Sequence, residues 1–139
     1  VINKLYATKS KFPDSHVLVF VDLDREGQSR IEDLWNKIVQ KGLTQLIKKH
    51  EIFFVNPCIE YLFIIAKENN HPKFCTNKQY KDEKERIYGT DFDAKIIELL
   101  QEDKFETLNH NLCRVQKAAD DYPSTNIEDL VTYLKRKRP

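Results

Sequence analysis

Two aspartates set two positions apart, Asp22 and Asp24, close the unbroken apolar run Val17-Leu18-Val19-Phe20-Val21. Such a run of β-branched and aromatic residues reads as a strand buried on both faces. Side chains at i and i+2 of a strand point to one side, so the two carboxylates are expected to converge. Paired carboxylates in that place can hold a hard divalent cation. Mg2+ takes oxygen ligands, one or two of them carboxylates, with water and substrate phosphate completing its shell. A third acid has an equivalent place. Glu51-Ile52-Phe53-Phe54-Val55 reads as a second short buried strand ending at Asn56-Pro57. Asn is a good N-cap and Pro suits the first helical position, so a helix is expected from Pro57 to Glu68 with Glu60 in its first turn. In an open α/β sheet, ligands bind at the carboxyl ends of the strands. Asp22, Asp24 and Glu60 are therefore the candidate catalytic residues, Asp22 and Asp24 the candidate metal ligands, and Asn56 a cap that also positions a ligand.

Each of these residues has a plainer reading. Aspartates are common at strand ends because they bond their own backbone, and an acid in a first helical turn is favoured by the helix dipole. Two acids closing a fully apolar strand are an unusual placement of charge, which favours a functional role for Asp22 and Asp24, and the shared edge sets Glu60 level with its plainer reading.

The remaining pattern supplies the elements that must hold this edge. Residues 1–14 read as a connector or the remnant of a helix, with Pro13-Asp14 as a breaker. Ser29 and Glu32 have capping-box spacing. Ile31, Leu34, Trp35, Ile38 and Val39 recur at helical spacing up to Gly42. Leu43 to His50 reads as a short helical or turn segment. Residues 69–91 read as a long polar loop with one helical turn, carrying Lys78, Lys81, Lys84 and Arg86. Such a loop suits a lid over a phosphate substrate, which makes Lys78, Lys81 and Arg86 candidate substrate-binding residues; the plainer reading is a solvated face. Tyr80 and Tyr88 interleave with the basic residues in a manner suited to base stacking. Helices are expected from Asp93 to Gln101, with Ile96, Ile97, Leu99 and Leu100, and from Lys104 to Asp120, with Phe105, Leu108, Leu112, Val115 and Ala119. A last helix follows a Thr125/Glu128 capping box, with Ile127, Leu130, Val131 and Leu134 facing the core. The pattern is α/β at the front and helical at the back, with no internal repeat.

Composition bounds the function classes. The chain has 139 residues, the size of one domain. Lys and Arg number 23 against 22 Asp and Glu, so net charge names no partner. The basic run Lys135-Arg136-Lys137-Arg138 reads first as a frayed helix end and second as a nucleic-acid contact. Cys58, Cys75 and Cys113 share no CxxC spacing, which argues against a zinc site or disulfide framework and fits a reducing, cytoplasmic setting. His16, His50, His71 and His110 fall in four different settings, with His71 the only one in the long loop. No glycine-rich phosphate loop is present. No signal peptide is apparent, and the longest apolar run, Tyr61 to Ala66, is too short to span a bilayer. The chain contains no Met, from which an additional N-terminal part is expected in the natural product.

Taken together, Val19-Phe20-Val21-Asp22-Leu23-Asp24, Val55-Asn56-Pro57-Cys58-Ile59-Glu60-Tyr61-Leu62, the Tyr/Lys-containing loop, and Tyr122-Pro123-Ser124-Thr125-Asn126 before Leu130-Val131 resemble the RloB-like family. These are proteins of bacterial restriction and abortive-infection loci with a Toprim-type catalytic domain. The resemblance implies one Toprim-like domain over residues 1–139: a mostly parallel sheet with helices on both faces. It implies Mg2+- or Mn2+-dependent cleavage of phosphodiesters in DNA or RNA (tRNA included), in anti-phage defence, beside an ABC-type ATPase partner. Asp22 and Asp24 fall on the family's metal pair, and Glu60 on its Asn-Pro-x-x-Glu acid. One departure stands out. Toprim domains carry a Glu after an earlier strand, and no such strand precedes Val17. The alternative is a non-catalytic Toprim-like module that binds the ATPase through its helical back half. A haloacid-dehalogenase-type phosphotransferase also opens with Asp-x-Asp, but the chain is short for it and Asn-Pro-x-x-Glu has no place there.

Overall fold

The computed structural model describes residues 1–14, 17–103 and 106–136. His16, Lys104, Phe105 and Lys137-Arg138, and the side chains of Leu100 and Lys135, lie outside the described residues. The fold is mixed α/β, a small sheet flanked by helices.

Chain order begins with a helix, α1, Ile2–Lys11, where a connector was one of two expectations. Leu5 is its buried residue, and Lys9 and Lys11 suit its negative C-terminal end. Strand β1, Val19–Asp22, pairs in parallel with β2, Ile52–Asn56, through helix α2, Gln28–Gln40. A turn and a short 3-10 segment, Lys49–Glu51, lead into β2. Strand β3, Ser124–Thr125, is antiparallel to β2. The sheet order is β1-β2-β3, so the described sheet is mixed rather than mostly parallel.

Position in that order decides burial. β2 is central and all its residues are buried. β1 alternates instead: Val19 and Val21 are buried, while Leu18 and Phe20 are each 36% exposed. The expectation of burial on both faces fails because β1 lies at the edge and packs inward on one side only. Val19, Val21, Ile52 and Phe54 join Leu5 of α1 and Ile31 and Ile38 of α2 in one core. Val55 joins a second core with Tyr61, Ile64, Ile65, Tyr80 and Leu112.

The second core is built by α3, Glu60–Lys67, α4, Asn77–Tyr88, and α6, Glu106–Leu112, while α5, Phe92–Asp103, packs through Ile96 with Ala66 and Tyr88 in a third cluster. Several expectations change here. α3 begins at Glu60, not Pro57: Asn56 ends β2, and Ile59 occupies the N-cap position. The expected loop over residues 69–91 contains the three-turn helix α4. Thr76 Oγ1 accepts the Gln79 N–H while Gln79 Oε1 accepts the Thr76 N–H, and Gly89, at φ 70°, ends it. Tyr80 and Tyr88 are core residues and are not available to stack on bases. The Tyr80 hydroxyl donates to Pro72 O, and the Tyr88 hydroxyl to Phe63 O. The helix expected to run to Asp120 stops at Leu112, and residues 113–121 turn back toward β2.

The final helix, α7, Ile127–Arg136, is amphipathic, but Leu130 and Val131 are only half-buried and Leu134 is 49% exposed. Its expected capping box is replaced: Thr125 Oγ1 accepts the Ile127 N–H, while Glu128 pairs with Lys117. Neither does Ser29/Glu32 cap α2. Ser29 donates to Glu26 O, and Glu32 pairs with Lys49 at 2.7 Å. None of the described helices is long and apolar enough to cross a membrane.

Candidate functional site

The parallel ladder fixes where the acids stand. Leu23 N–H donates to Val55 O, and Asp24 N–H to Pro57 O, so the chain after β1 stays beside the chain after β2. Asp22 ends β1 and Glu60 opens α3, at the carboxyl ends of neighbouring strands. Asp24 lies beyond the strand, not in it. Asp24 and Arg25 have φ of 48° and 71°, and Gly27 has φ 68°. Left-handed conformations at two residues that bear a Cβ are strained, and they persist only where surrounding contacts enforce them.

Asn56 supplies much of that enforcement. It is 2% exposed. Its Oδ1 accepts the Arg25 N–H at 2.9 Å, and its Nδ2 donates to Ala119 O and Asp121 O, both at 3.1 Å. One amide thus ties β2 to the loop after β1 and to the turn at 119–121. The role expected for Asn56 as a helix cap is corrected; it is a buried junction below the acids. The same turn caps α2, since Asp120 Oδ1 accepts the Gln28 N–H at 2.8 Å. A Cβ on Gly27 would collide with that carboxylate and stand 3.3 Å from Ala119 O. Glycine is required there by both space and φ.

The acids act on one another. Burial pushes the Asp22 carboxyl above its ordinary range, and the neighbouring Asp24 and Glu60 charges push the same way. The Ile59 N–H and Arg30 offset part of this. The Cys58 thiol is pushed up to about 12, first by burial and then by the Glu60 carboxylate against it; it is a packed thiol, not a nucleophile. Asp24 is engaged by Arg30 at 3.5 Å and by Asn77 Nδ2 at 3.1 Å. Among the described residues, no three His, Cys, Asp or Glu side chains form a ready-made metal group.

A divalent cation nevertheless suits the donors in kind. They are hard oxygens, and Mg2+ needs only one or two carboxylates. The raised Asp22 carboxyl also marks negative charge that the protein leaves partly uncompensated. A cleft of about 310 Å³ between the start of α1 and α2 includes Arg30 but none of the three acids.

The expected basic residues fare differently. Lys78 is 2.7 Å from Asp82, and Arg86 is held by Glu68 and Glu83. At 1.5 Å per residue, Arg86 is displaced along α4 from Asn77 by about 13 Å. Lys81 is exposed on α4. Three residues at the site were not among the expected site residues: Arg25, Asn77 and Tyr122. Arg25 Nη1 donates to Asn77 Oδ1 at 2.5 Å, and its Nη2 donates to the Tyr122 hydroxyl at 3.0 Å. The Tyr122 hydroxyl in turn donates to Phe74 O. The Thr76/Gln79 spacing, which starts α4, was the one available signal for Asn77. His71 accepts or donates at Nδ1 with the Tyr61 hydroxyl, 3.2 Å away, outside this cluster.

Comparison with protein-family models, curated proteins and solved structures found no match for this chain.

Proposed function

We propose that the chain is a Toprim-like, RloB-type nuclease that cleaves phosphodiesters with Mg2+ or Mn2+, acting on DNA or RNA as a defence effector. The observation that supports it is Asp22: an acid at a strand end, raised by burial and by the like charges of Asp24 and Glu60. In this reading Asp22 and Asp24 hold the ion, and Glu60 completes its shell directly or through water. When bound, the ion supplies Lewis-acid polarisation of the phosphate and stabilises charge on the leaving oxygen. Arg30 steadies Asp24 from the protein side. Asn56 and the strained Asp24-Arg25 backbone keep the carboxylates in place.

The test is cleavage of plasmid DNA and total tRNA in Mg2+ or Mn2+, with and without an ATPase partner, beside Asp22→Ala and Glu60→Ala. Cleavage that needs metal and falls at least 100-fold in Asp22→Ala is the expected result.

A second reading, a non-catalytic module that binds an ABC-type ATPase, is favoured by one observation: Arg30 and Asn77 already occupy the Asp24 carboxylate. No cleavage in any condition, with the Asp22→Ala protein still binding its partner, would select it.

A further inference from the structure

Charges that a fold leaves without an opposite partner mark places for a charged ligand. Most cations near the site are matched. Lys78 has Asp82, Arg86 has Glu68 and Glu83, and Arg30 has Asp24 and Glu26. Arg25 is different. Its guanidinium lies 5.1 Å from the centre of the Tyr122 ring. It donates to Asn77 Oδ1, to the Tyr122 hydroxyl, and to Phe74 O at 3.4 Å. All three acceptors are neutral, and among the described residues no carboxylate pairs with it. Lys73, exposed and also without an ion pair among the described residues, stands 5.8 Å from the same ring.

Two further features aim this pair of cations. Asn77 is the first residue of α4; Thr76 Oγ1 takes the Gln79 N–H there, and the positive end of the helix dipole favours an anion. The Asn77 amide joins Arg25 to Asp24, so a single amide group separates the guanidinium from the acid. The Arg25 backbone is also held in a left-handed conformation by Asn56, a local strain of the kind that persists at functional sites. Arginine is suited to this place: its planar fork matches two phosphate oxygens and its charge does not titrate.

We infer that Arg25, with Lys73 at the same Tyr122 ring, is the phosphate-binding group of this site, gripping a backbone phosphate of a nucleic-acid strand next to the phosphate at Asp22 and Asp24. The inference rests on the nuclease reading for what lies at the acids, but the grip itself requires no cleavage.

The test is fluorescence anisotropy of the protein with a short fluorescein-labelled single strand, as DNA and as RNA, in EDTA. Arg25→Gln is expected to raise Kd about tenfold and to make the slope of log K against log salt shallower by about 0.7. Arg25→Lys should restore the slope but only part of the affinity, because it returns the charge without the fork. Lys11→Ala, exposed at the last turn of α1, should change neither. Circular dichroism melting checks that each variant folds. If Arg25→Gln does not fold, the exposed Lys73→Gln replaces it and should weaken binding with the same loss of slope. Wild-type affinity and slope in the folded variants would overturn the inference, as would failure of the wild-type protein to bind either strand. Binding lost in Arg25→Gln without cleavage by the wild type would keep Arg25 and remove the nuclease reading. Cleavage by the wild type with Arg25→Gln binding unchanged would do the reverse.

Discussion

Asp22 carries a linkage between pH, stability and cation. Its carboxyl is raised above the ordinary value of 3.8 in the folded chain. Between that value and the folded one, the native state binds more protons than the unfolded state, so stability falls as pH rises through the window. At neutral pH the whole penalty is present. Asp22→Asn is therefore expected to raise Tm at pH 7 and to melt with the wild type below pH 3.8, as read by calorimetry across pH. A cation bound at Asp22 relieves the same repulsion. Added Mg2+ should raise the wild-type Tm at pH 7, by about 2.7 kcal/mol of stability at a hundredfold excess over Kd, and should leave Asp22→Asn unmoved. An equal rise in both proteins would mean that the ion binds elsewhere. Asn56 belongs to this scale too. Asn56→Asp keeps the acceptor for Arg25 N–H but turns a carboxylate toward the carbonyls of Ala119 and Asp121. Urea unfolding should show a loss of about 2–4 kcal/mol, larger than for Asn56→Ala.

At the scale of elements, Gly27 sets the entry to α2. Gly27→Ala combines an unfavourable φ with a collision against Asp120, and should cost more than about 1 kcal/mol by the same measurement. What the sequence made legible follows from range. Asp22 and Glu60 were found because strand ends and helix starts leave local signals, and α2 and α3 because their apolar spacing is dense. α4 was missed because its apolar residues are few, although Thr76, Gln79 and Gly89 mark both ends. Residues 113–121 have good helical spacing yet form turns: Asn56 and the Gln28 N–H bond their carbonyls and carboxylate from far along the chain. The contact between Arg25 and Tyr122 was invisible for the same reason. They are 97 positions apart, and only the fold gives the contact meaning.

For the molecule as a whole, stability is unevenly spread. β2 is buried throughout and shared between two cores. Among the described residues of α5 only Ile96 is buried, and Ile97 is 56% exposed. Native-state hydrogen exchange should find the amides of α5 opening well below the free energy of β2 and α3. Equal protection in all three would contradict this division.

The clasp between the turn at 119–121 and the loop after β1 also has a consequence in time. The ribosome delivers Asp22, Asp24, Asn56 and Glu60 first, and Asp120, Tyr122 and Asn126, which bond the α2 entrance, Arg25 and β2, only later. A nascent chain thus carries every acid of the site about sixty residues before Asp120, and the loop after β1 gains its clasp only once the turn at 119–121 has been made.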